Sequence, residues 1–148
     1  MKRTLAIIVL LGTAVALGAL REFLFLNLNY QLDHVQRATE FSYAHSIFQG
    51  WTQGWSLGRL IAFKWSLAVG YVVVMTCLGV LMARLLFGHM RYARPMVLAV
   101  VAVAACALLL NFLSGWLPPL ADVSVKLLHM LQYPIVMLVL LAGKALGR

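Results

Sequence analysis

"WSLAVGYVVVMTCLGVLMA", residues 65–83, contains no charged side chain. A helix needs about 20 consecutive apolar residues to cross the hydrocarbon of a bilayer. In lipid, every backbone N–H and C=O must bond within its own segment. The stretch therefore reads as a transmembrane helix, and three more windows of the same kind flank it. They are Thr4–Leu20 ("TLAIIVLLGTAVALGAL"), Pro95–Leu113 ("PMVLAVVAVAACALLLNFL") and Leu127–Gly143 ("LLHMLQYPIVMLVLLAG"). The whole chain agrees: of 148 residues, 64% are hydrophobic and 11% charged, against about half and a quarter in soluble domains. The expected fold is all-α, one four-span membrane domain over residues 1–148.

The charges set the expected orientation. Lys2, Arg3, Arg84, Arg91, Arg94, Lys144 and Arg148 fall on one side of a four-span chain. Arg21, Arg37, Arg59, Lys64 and Lys126 fall on the other, with all four acids, Glu22, Asp33, Glu40 and Asp122. The balance is +7 against +1, and the positive-inside rule then places both termini in the cytoplasm. Topology also accounts for the net charge of +8. The basic residues stand singly at the ends of apolar runs, without the aromatic-interleaved stripe of a nucleic-acid face, so no nucleic-acid partner is expected. The basic start and small residues of the first window also fit a cleaved signal peptide. Its continuation into "FLFL" favours a retained helix.

Residues 21–64 form the one long outer segment. "LNLNYQLD" (26–33) alternates apolar and polar with the period of a half-buried strand, or of an extended stretch lying on the interface. Val35, Ala38, Phe41, Ala44 and Phe48 then recur at helical spacing and predict an amphipathic helix on lipid or on the bundle. Asp33 with Arg37 and Arg37 with Glu40 have the spacing of helical ion pairs. Gly50, Gly54 and Gly58 look like a helix-contact stripe, but they lie among Thr52, Gln53 and Ser56, outside any apolar 20-mer. An interfacial turn or short helix is the better reading. Trp51, Trp55 and Trp65 would anchor it, and Arg59 and Lys64 would reach toward headgroups.

No reaction is legible. Cys77 and Cys106 lie in apolar runs with no histidine at metal-ligand spacing, and are read as small packing residues. Of the histidines at 34, 45, 89 and 129, only His45 and His129 share the outer side, which leaves a haem- or quinone-binding subunit as one alternative. The span cores hold no charge. The break at Pro134, with His129 and Gln132 beside it, leaves a small-solute or lipid carrier as another. The proline should free the carbonyl of Met130. No metal or cofactor is expected. The outer helix ends collect Arg21, Glu22, Arg59, Lys64, Asp122, Lys126 and His129, a candidate docking surface in which Glu22 is expected to pair with Arg59, Lys64 or Lys126.

The pattern "ALREFLF", then an aromatic outer segment, then "RLIAFKW" and finally "LQYPIVMLVL" resembles the small multipass proteins that accompany bacterial exosortases. That resemblance implies an inner-membrane accessory subunit of a protein-sorting system. Exosortases resemble cysteine enzymes with arginine and histidine partners near the outer face. No cysteine sits at that depth here, so the expected role is a non-enzymatic partner subunit, in contact with the bilayer and with another membrane protein.

Overall fold

The computed structural model describes residues 2–146, and every regular element in it is a helix. The order is α1 (Lys2–Arg37), α2 (Ser46–Thr52), α3 (Leu57–Phe87), α4 (Ala93–Leu113), α5 (Pro119–Leu131) and α6 (Ile135–Leu146). α1, α3 and α4 are each long and apolar enough to cross a membrane, and α5 with α6 forms a fourth candidate bent by 62°. At 1.5 Å per residue, the 21 residues of α4 measure roughly 32 Å, one hydrocarbon thickness. The 36 residues of α1 measure roughly 54 Å, so that helix outruns the hydrocarbon by about 20 Å.

The chain folds into two compact units. One holds the chain up to Ala16 and again from Val72. The other is Leu17–Tyr71.

In the first unit, α4 and α5 pack as an antiparallel pair. Ser124, 1% exposed, donates its hydroxyl to the carbonyl of Ala107, 0% exposed, at 2.7 Å. Small side chains at this contact let the two backbones approach, and the hydroxyl ties them. Pro119 occupies the first turn of α5, where its missing N–H costs nothing. Pro134 separates α5 from α6 as expected. The Met130 carbonyl it would otherwise strand accepts instead from the N–H of Tyr133 at 3.3 Å, in a tightened last turn. At the end of α3, Arg3 donates to the carbonyl of Leu85 and Lys144 to that of Leu86. Lys144 also lies 5.3 Å from the centre of the Phe87 ring. The start of α1 and the end of α6 thus meet the last turn of α3, where the Leu85 and Leu86 carbonyls lack a helical partner.

The second unit corrects the reading of the outer segment. Residues 26–33 are neither strand nor extended chain; they continue α1 without a break. Beneath the alternation runs a helical row, Leu24, Leu28, Leu32 and Val35, and this row meets the core. The helix expected from Val35 to Phe48 is also absent. α1 stops at Arg37, and Ala38 turns left-handed with φ +49°. The Thr39 N–H reaches back to the carbonyl of His34 at 3.3 Å, the closing bond of a Schellman motif, usually built on glycine. Ala44 and Phe48 are buried with Leu28 and Leu60, whereas Phe41 is 72% exposed. The Asp33–Arg37 pair forms at 2.8 Å; Glu40 lies past the helix end. The glycine stripe is split: Gly50 lies in α2, Gly58 in α3, and Gly54 turns between them at φ +74°. The turn-and-short-helix reading of these residues holds.

Candidate functional site

The candidate site is built where residues 38–56 fold back on the C-terminal half of α1. Hydrophobic burial locates the segment, and polar side chains hold it in register. Phe48, 1% exposed, fills the gap between Leu28 and Leu60. Asn27 and Gln31, one helical turn apart, are both buried. The Asn27 amide donates to the carbonyl of Phe23 at 2.7 Å and accepts the backbone N–H of His45 at 2.5 Å. Gln31 accepts from the hydroxyl of Ser42 at 2.8 Å. Gln49 donates to the carbonyls of Ser42 and Ala44, which closes the loop on α2. His45 starts α2 as its cap, its Nδ1 accepting from the N–H of Ile47 at 3.3 Å. Ser56 caps α3 in the same way through the N–H of Arg59.

The outer surface of this cap carries Tyr43 at 84%, Phe41 at 72% and Trp51 at 64% exposure. Between cap and α1 opens a groove of about 640 Å³ with a mixed lining, in which Gln31, His34, Glu40 and Gln53 stand beside Phe41 and Trp55. Several of its polar groups already serve the loop itself, His34 with Thr39 and Gln31 with Ser42.

The expected cation cluster takes a different form. Glu22 does not take Arg59 or Lys64. Its partner is the adjacent Arg21, with Nη1 to Oε1 at 2.8 Å, and Arg21 is buried while the Glu22 side chain is 59% exposed. The Arg21 guanidinium also lies 4.8 Å from the Phe25 ring centre. Arg59 stacks over Trp55 at 4.3 Å, and Trp55 meets Phe63 edge-on at 5.4 Å. Lys64 donates to Asn29 at 2.8 Å. A planar guanidinium gains as much over an indole face as from an exposed carboxylate, and a neighbour in sequence wins Glu22 at little entropic cost. Asp122, Lys126 and His129 lie on α5, in the other unit. Trp51 and Trp65 are exposed and Trp55 is half-buried.

Cys77 and Cys106 are not interior packing residues; both are exposed on their helices. Among the described residues no group of three histidines, cysteines or acids is placed to hold a metal. The cavity at the Pro134 break measures about 10 Å³ and is lined by Met75, Met96, Tyr133 and Met137 among others, room for a water at most.

Asn27, Gln31, Ser42 and Gln49 were not singled out from sequence. The signal was there: two amides at i and i+4 on the apolar side of a helix need partners, and only a folded-back loop supplies them. Compared with protein-family models, with curated proteins and with solved structures, the chain matches none.

Proposed function

We propose that this chain is a non-enzymatic partner subunit of a bacterial inner-membrane system, crossing the membrane four times with both termini in the cytoplasm. The bent α5–α6 pair serves as the fourth span. The asymmetry of +7 against +1 supports the orientation. So does the meeting of Arg3 and Lys144 at the end of α3, because an even number of crossings brings those ends to one side. The docking surface in this reading is the cap on α1. The observation that carries it is the pairing of a loop fixed by buried Asn27 and Gln31 with solvent-facing Phe41, Tyr43 and Trp51. Exposed aromatics on a pre-ordered loop bind with little ordering cost. A sorting enzyme of the exosortase kind is the partner that the resemblance of "ALREFLF", "RLIAFKW" and "LQYPIVMLVL" implies.

The test is in-cell photocrosslinking from benzoylphenylalanine at position 43 or 51. A single membrane protein should be captured from both positions, and Asn27→Ala should reduce capture while the chain stays in the membrane. Deleting the captured protein's gene should lower the level of this chain. Adducts to lipid alone would overturn the docking role.

A further inference from the structure

A second groove, of about 560 Å³, runs between the first turns of α1 and the last turns of α3, wholly within the first unit. Its walls are apolar, with Ala6, Leu10, Leu81 and Leu85 among them, and Arg3 and Arg84 stand in its lining. From Arg3 to Thr13 along α1 the groove extends roughly 15 Å, the length of a stretched acyl chain of about a dozen carbons. No acid precedes Glu22 or falls between residues 65 and 121. The charge at this end is therefore wholly positive, with Lys2, Arg91, Arg94 and Lys144 adding to the two arginines.

A helix C-terminus repels anions through its free carbonyls. Here that repulsion is offset, because Arg3 and Lys144 bond the carbonyls of Leu85 and Leu86. Arg3 uses its Nε for this and still presents the other N–H groups of its planar fork, the geometry that suits phosphate. Gly88, left-handed at φ +77° with its N–H on the carbonyl of Arg84 at 2.9 Å, turns the chain away after α3.

We propose that this groove binds an anionic phospholipid, with one acyl chain along Ala6, Leu10 and Leu81 and the phosphodiester between Arg3 and Arg84. Basic pockets between membrane helices are suited to such headgroups. The proposal rests on the membrane placement of α1 and α3, and not on the docking cap.

Native mass spectrometry of the detergent-solubilised protein, titrated with phosphatidylglycerol or with phosphatidylcholine of the same chains, tests it. Each arginine near a headgroup contributes about 1 kcal/mol, or about fivefold. Phosphatidylglycerol should therefore be retained at least about fivefold better. Arg84→Gln, an exposed side chain whose loss leaves the fold intact, should cut that preference about fivefold. Arg37→Gln, the same charge change away from the groove, should leave it unchanged. Ala6→Phe should fill the groove and reduce retention of both lipids. Excess glycerol 3-phosphate should not displace bound phosphatidylglycerol; displacement would assign the arginines to a soluble phosphate and overturn the lipid. Equal retention of the two lipids, or a preference indifferent to Arg84→Gln, would overturn the site. A chain that failed to sediment with membranes would instead refute the membrane reading.

Discussion

Asn27→Ala should release the cap while leaving the helices in place. The Asn27 side chain is buried and accepts the His45 N–H at 2.5 Å. Removing it deletes two hydrogen bonds: the one to the Phe23 carbonyl lies within α1, and the one to the loop, worth about 1 kcal/mol net, leaves a stranded backbone donor that costs about 1–3 kcal/mol. His45 is an exposed residue, so its N–H regains water once the loop moves, and the lower end applies. About 2 kcal/mol in total corresponds to roughly 30-fold more frequent opening of the loop. Hydrogen exchange of the protein in nanodiscs, followed by mass spectrometry, reads this directly. The peptide covering residues 38–52 should exchange about 30-fold faster, and the peptide covering 65–83 should not change. His45→Pro sharpens the test. Residue 45 sits at φ −57°, an angle proline adopts, and proline has no N–H to strand. In that background Asn27→Ala should add no more than about 1 kcal/mol, because the two changes share one bond. Unchanged exchange in 38–52, or equal acceleration in every helix, would refute the view of Asn27 as a local tether.

Ala38→Gly should stabilise α1's end by about 0.5–1 kcal/mol, since φ +49° strains a side chain that glycine lacks; slower exchange of the Thr39 amide checks it. Ser124→Ala should cost about 0.5–1.5 kcal/mol through the lost bond to Ala107, measured as an earlier unfolding midpoint in SDS titration, with no change in the exchange of residues 38–52. With Cys77 and Cys106 replaced by alanine, Thr39→Cys should react with an impermeant thiol reagent in intact cells and Met90→Cys should not; the reverse pattern would invert the proposed orientation.

The apolar windows were readable from sequence because lipid imposes a local rule. A helix in hydrocarbon satisfies its own backbone, so length and composition suffice to mark it. Residues 65–83 and 95–113 lie inside α3 and α4, and the break at Pro134 follows from one missing N–H. Where polar residues interrupt the apolar run the rule lapses. "LNLNYQLD" fits a two-residue and a 3.6-residue period at once, and only the meeting of Leu28 with Phe48 and Leu60 selects the helix. Opposite charges near the ends of the apolar windows did not determine who pairs with Glu22, because exposed ion pairs are weak and an adjacent arginine or an indole face competes on equal terms. The cap itself was decided by tertiary structure alone. Its hydrogen bonds join Asn27 to His45 and Gln31 to Ser42, and a bond between residues distant in sequence leaves no periodic trace in the chain that forms it.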